Sequence, residues 1–168
     1  MTQRIVYFAY GSNMALERLR SRVPSAERIC CGLLSGHQLK FHKRGRADGS
    51  GKCDAEHTGN PNDKVLGVLY SIRSDELPFL DKVEGCGHGY ERHRVKVASG
   101  TNDALDAETY IATDIASDLR PFDWYKEHVL RGARAADLPA DYIASIDAVI
   151  ADEDPDDERR ALELGIYG

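Results

Sequence analysis

No apolar run in this sequence approaches the roughly 20 residues that a membrane-crossing helix requires, so the chain is not expected to span a bilayer. The opening Met-Thr-Gln-Arg, ahead of a short strand-like run, lacks the apolar core and small-residue cleavage site of a secretory leader, which points to the cytoplasm. Cysteine is scarce. Cys30, Cys31, Cys53 and Cys86 form no CxxC pair and no framework spacing, so neither a zinc ribbon nor a disulfide scaffold is read from them, and reduced thiols are expected. Positive charge is also in deficit: a formal net charge of −6 argues against a nucleic-acid partner, although Lys40, Lys43, Arg44, Arg46 and Lys52 form a local basic cluster. No Gly-x-Ser-x-Gly elbow is present. The Gly49-Ser50-Gly51-Lys52 segment is not a phosphate loop, because Arg46 stands at the required first glycine and Cys53 where Ser or Thr is needed.

What is present is the composition of one globular domain over residues 1–168, with 42% hydrophobic and 30% charged residues, long enough to bury about two-thirds of its unfolded surface. The chain opens on Tyr7-Phe8-Ala9-Tyr10-Gly11-Ser12-Asn13-Met14, an apolar run that breaks at Gly-Ser-Asn and resumes as a helix-favouring segment from 15 to 22. This reads as strand, tight turn, helix. Gly11 permits unusual backbone angles and Ser12 or Asn13 is a good N-cap, so several amides are expected to converge there as an anion cradle. Strands are read at 26–34 and 37–43, joined as a hairpin at Ser35-Gly36. Residues 44–63, rich in Gly, Asp, Asn and Lys, read as a long connection of the kind that is usually functional.

Residues 64–72 are apolar on both faces, as in a central strand, and a helix follows over 75–83. Strands at 90–98 and 108–112 pair through the polar connection 99–104, and the last third is helical over 122–134, 140–151 and 156–164. The expected fold class is therefore α+β, about six strands followed by helices, in a closed or strongly curled sheet.

At about 100° per residue, Leu77, Phe79, Leu80 and Val83 share one face of the 75–83 helix, and Glu84 continues that wheel between Leu77 and Leu80. A carboxylate at the core-facing end of a helix is partly desolvated, which favours its protonated form and makes it a candidate general base near neutral pH. The alternative is that the helix ends at Val83 and Glu84 turns outward. Ser12 lacks an assignable base, and a capping role suits it better than that of a nucleophile. Cys86 and His88, with His93, admit a thiolate pair or metal reading, but no second close pair supports it. Trp124 and Tyr125 read as core.

Tyr7 to Met14 resembles the opening signature of the gamma-glutamylcyclotransferase-like superfamily, and Leu80-Asp81-Lys82-Val83-Glu84-Gly85, closing at Gly89-Tyr90, resembles its catalytic-Glu segment. Val65 to Tyr70, Trp124 to Lys126, Gly132-Ala133 and Leu138 to Tyr142 also fit, so the resemblance runs from about residue 5 to 150. It implies a small mixed β-barrel flanked by helices and the cyclisation of a γ-glutamyl group to 5-oxoproline with release of an amine. The substrate's own α-amino group would be the nucleophile, so neither a metal nor another cofactor is called for. Glu84 would carry protons as general acid and base, the Gly11-Ser12-Asn13 amides would grip a carboxylate or oxyanion, and Tyr10 would line the pocket. Tyr90 and Tyr125 match aromatic positions of the family and would bond the substrate or Glu84. The family admits a homodimer. It leaves open whether the leaving group is an amino acid, a lysine-type amine or a natural-product intermediate, a choice assigned to the 44–63 segment, and whether the fold is a non-catalytic binding module instead.

Overall fold

The computed structural model describes residues 1–100 and 103–168, so part of the 99–104 connection lies outside the described residues. Its strands are β1 (Arg4–Ala9), β2 (Glu27–Ser35), β3 (His37–Arg44), β4 (Gly51–His57), β5 (Lys64–Arg73), β6 (Tyr90–Ser99) and β7 (Ala104–Ala112). Five of them close a barrel in the order β1-β5-β2-β6-β7, while β3 and β4 form a separate two-stranded sheet. The α+β class is as expected, with five barrel strands rather than about six. β5 pairs antiparallel with β1 from Arg73 to Val68 and with β2 along its other edge, which is why its residues are apolar on both faces. β6 and β7 pair antiparallel, and β7 meets β1 in parallel at Tyr7 and Glu108 to complete the ring.

Two expectations fail in β2 to β4. β2 and β3 do not form a hairpin: Leu33 and Leu34 of β2 pair with Leu66 and Val65 of β5, while β3 turns to pair with β4. The apolar β5 needs an apolar neighbour, which β2 supplies and β3, with His37, Gln38, Lys40 and His42, does not. The 44–63 segment is not a continuous loop, since β4 occupies its centre with Cys53, Asp54 and Ala55 buried. Burial of a polar strand is achieved by bonding: Asp54 lies 2.7 Å from His42 Nε2 and accepts the Ala112 N–H at 2.8 Å.

The helices are α1 (Leu16–Arg22), α2 (Leu77–Glu84), α3 (Asp123–Ala135), α4 (Ala140–Asp147) and α5 (Asp157–Leu164), close to the sequence reading except that α4 ends sooner. α3 carries the buried Trp124, Tyr125, His128, Val129 and Ala133, and lies directly on the turn after β1. A Cβ on Gly132 would sit 2.4 Å from Met14 Cβ, so only glycine permits that approach. On α2 the core-facing stripe is Leu77, Leu80 and Glu84. Phe79 and Val83, expected on the same face, are exposed, and Asp81 pairs with Arg92 and accepts the Tyr110 hydroxyl at 2.6 Å. Leu80 is fully buried, a contribution of about 2 kcal/mol to anchoring the helix that ends at Glu84.

Candidate active site

The turn after β1 is a 3₁₀ helix, Ser12–Met14, in which Met14 N–H bonds the Gly11 carbonyl and Ala15 N–H bonds that of Ser12. The amides of Ser12 and Asn13 are thus first-turn donors of the kind a helix start leaves without an intrahelical acceptor. Neither side chain caps it, contrary to expectation, and α1 begins only at Leu16 with no side-chain cap. Gly11 takes φ −113° and ψ −136°, outside the helical and extended regions, and an added Cβ would stand 2.8 Å from Cys53 Cβ, so the turn is pressed against β4.

Glu84 is the last residue of α2. Gly85 follows in the left-handed region at φ 72°, its N–H bonding Lys82 O and the Cys86 N–H bonding Asp81 O, the paired bonds of a Schellman closure. This closure fixes where the Glu84 side chain leaves the helix. Its carboxylate is 15% exposed, and Oε1 takes two donors: Asn13 Nδ2 at 2.8 Å and Arg22 Nη1 at 2.9 Å. Asn13 Oδ1 in turn accepts from Arg22 at 3.0 Å, and Asn13 Nδ2 also reaches the Tyr7 hydroxyl at 3.0 Å. Glu84, Asn13 and Arg22 therefore form a closed triangle that orients the carboxylate. Among the described residues Oε2 has no protein partner, which leaves it for a ligand.

Glu84 stands between two connected spaces. An inner chamber of ≈ 30 Å³ is lined by Tyr7, Tyr10, Gly11, Ser12, Asn13, Cys53, Tyr90, Tyr110 and Tyr125, and an outer cleft of ≈ 320 Å³ shares Ser12, Glu84, Tyr90 and Tyr125 with it. All seven residues singled out in the sequence, Tyr10, Gly11, Ser12, Asn13, Glu84, Tyr90 and Tyr125, meet at the inner chamber. The three phenols are already engaged with the scaffold: Tyr10 donates to the Tyr110 carbonyl, Tyr90 donates to the Cys53 carbonyl at 2.5 Å, and Tyr125 Oη accepts the Cys53 N–H at 2.9 Å. None of them bonds Glu84. Burial pushes the pKa of all three phenols, and of Tyr7, well above the ordinary value, so they are neutral walls and dipoles, not bases. Burial likewise pushes the Cys53 thiol up, which removes it as a nucleophile.

Arg22, Tyr7 and Cys53 were not singled out in the sequence. Tyr7 and Arg22 lie within or beside the opening signature, but nothing in a helix carrying Arg18, Arg20 and Arg22 distinguishes the arginine that meets a carboxylate 62 positions later. Among the described residues no group of three or more His, Cys, Asp or Glu side chains could hold a metal ion.

A five-strand barrel with a separate hairpin and a carboxylate set between an amide-lined turn and a ring of phenols defines a small barrel enzyme fold of the AIG2-like type, and a sequence model described as "AIG2-like family" matches residues 64–146. The chain is 32% identical over 154 residues to a human protein named gamma-glutamylcyclotransferase, covering 88% of this chain and 79% of that one, and 30% identical to the mouse protein of the same name, covering 90% and 81%. It belongs to the gamma-glutamylcyclotransferase family. A solved structure titled gamma-glutamyl cyclotransferase superposes at a TM-score of 0.86 with 27% identity, over 97% of this chain and 99% of that one, and an uncharacterised human protein at 0.84 with 28% identity, over 96% and 98%.

Proposed function

We propose that this chain is a cytoplasmic gamma-glutamylcyclotransferase in which Glu84 shuttles the protons of an intramolecular cyclisation. The observation that carries the mechanism is the bare Oε2 of a half-fixed carboxylate at the mouth of a chamber that offers no reactive nucleophile of its own. The γ-glutamyl group enters at the junction of the outer cleft and the inner chamber with its α-ammonium at Oε2. Glu84 takes a proton, the freed amine attacks the γ-carbonyl carbon, and the new C–N bond closes the five-membered ring. As the old C–N bond breaks, the proton on Glu84 passes to the departing nitrogen, the ring nitrogen loses its second proton to solvent, and the products are 5-oxoproline and an amine. The first-turn amides of Ser12 and Asn13 grip the α-carboxylate or the oxyanion. Tyr10, Tyr90 and Tyr125 form the apolar walls that hold the chain of the glutamyl group folded.

The test is release of 5-oxoproline from γ-glutamyl-L-alanine, followed by mass spectrometry. Glu84→Gln, which keeps size and hydrogen bonding but removes the base, is expected to lower kcat by at least about 100-fold. Wild-type turnover by that variant would overturn the mechanism.

A further inference from the structure

The outer cleft is lined by Arg18, Arg22, Lys43, Arg46, Lys52, Lys82 and Arg159 against only Asp48, Glu84 and Glu163. Most of the cations are spoken for. Arg18 pairs with Glu163 at 2.5 Å, Arg22 with Glu84 at 2.9 Å, Lys52 with Asp48 at 2.9 Å and Arg159 with Asp154 at 2.6 Å. Lys43 differs. The residue is only 4% exposed, yet among the described residues its ammonium has no hydrogen bond and no ion pair, and lies 4.5 Å above the centre of the Tyr90 ring. Burying a cation without a counter-ion is costly, and a methionine would fill the same volume without that cost.

The chain accommodates it deliberately. Lys43 stands near the end of β3 and reaches across the connection after α2, where Gly89 (φ 129°) makes room: an added Cβ would be 2.9 Å from Lys43 Cε and 3.1 Å from Nζ. Its charge feels the Glu84 carboxylate, although burial is the larger influence and pushes its acidity up. Lys43 lines the outer cleft and is not among the lining residues of the inner chamber. It is therefore on the leaving-group side of Glu84.

We propose that Lys43 is the counter-ion for the α-carboxylate of the leaving amino acid, so that removing its charge lets γ-glutamyl amines be used nearly as readily as γ-glutamyl α-amino acids. In an α-amino acid the carboxylate carbon lies about 2.5 Å from the nitrogen that Glu84 must protonate, so its partner has to be a cation close to Glu84 and outside the glutamyl chamber. Lys43 lines the same cleft as Glu84, is absent from the lining of the inner chamber and, unlike Arg22, has no counter-ion among the described residues. Arg46, whose side chain passes Gly85 at the cleft's edge, adds a second positive charge for a further carboxylate in a longer leaving group. The inference rests on the cyclotransferase reading and assigns one residue on its leaving-group side.

The experiment compares γ-glutamyl-L-alanine with γ-glutamyl-ethylamide, which differs only by loss of the carboxylate. Wild-type kcat/KM is expected to favour the alanine substrate by at least about tenfold. Lys43→Met is expected to narrow that ratio to about threefold or less, mainly through KM for the alanine substrate, while Lys43→Arg keeps most of it. Equal use of both substrates by the wild type overturns the assignment of Lys43 while leaving the reaction assignment intact, and this comparison needs no folded variant. Equal loss on both substrates in a folded Lys43→Met overturns it too. Release of 5-oxoproline from neither substrate overturns the cyclotransferase reading itself.

Discussion

At Glu84 the two carboxylate oxygens have different fates: Oε1 is tied to Asn13 and Arg22, and Oε2 faces the chamber. The consequence is that the neutrality of Asn13 matters as much as its position. Asn13→Ala removes one donor and is expected to lower kcat about tenfold, whereas Asn13→Asp sets a second carboxylate against the first and is expected to lose at least tenfold more, both read as 5-oxoproline release. Should the Asp variant be the more active of the two, the triangle is not what orients the base. Arg22→Met strips the countercharge from a carboxylate that is 15% exposed and is expected to cost about 1–3 kcal/mol in urea unfolding besides lowering turnover. Glu84 and the opening turn were legible in the sequence because their signals are local, a helical wheel and a Gly-Ser-Asn break. Arg22 was not, because its partner lies on another element and nothing local tells one helix arginine from the next. Ser12 and Asn13 were misassigned as caps for a related reason: their side chains are spent on Arg18 and Glu84, contacts made across the fold.

Among the elements, α2 is the one whose ending matters most. Gly85 holds the left-handed angle that closes the helix, and a side chain there costs about 1 kcal/mol in strain. Gly85→Ala is accordingly expected to lower Tm by about 2–4 °C, and to lower kcat more than that stability loss explains, since Glu84 leaves the helix one residue earlier. Calorimetry and turnover measured on one preparation check both halves. The extents of the strands and helices were largely readable, as apolar periodicity survives folding unchanged. Pairing was not: β3 and β4 join through a tip in which Asp48 binds Ser50 and Lys52, and their buried members include Asp54, whose place depends on His42 and Ala112. A polar strand made compatible with burial by distant partners carries no hydrophobic signature.

For the molecule as a whole, the C-terminal segment is fastened to α1 and α3 by ionised groups. Burial pushes the Glu163 carboxyl up, but the bond from His128 at 3.0 Å and the Arg18 guanidinium at 2.5 Å outweigh it and hold it down at about 2. The Asp154 carboxyl is held well below the usual range, chiefly by Arg159. Both folded values lie below the unfolded ones of about 4. These groups therefore contribute stability that is complete above pH ~4 and is lost as pH falls toward ~2. Tm measured against pH is expected to fall through that window, and Glu163→Gln to flatten part of the fall. A profile unchanged by the substitution would mean that the bridge does not fasten the segment.

The Cys53 thiol, at the centre of the chamber and 1% exposed, has a chemical consequence of its own. Alkylating agents attack the thiolate, a form that burial denies to this sulfur, and reach half-buried Cys30, Cys31 and Cys86 first. An electrophilic or oxidising environment should thus mark the outside of the protein while leaving its inner chamber intact, and peptide mapping after graded iodoacetamide treatment would show Cys53 last.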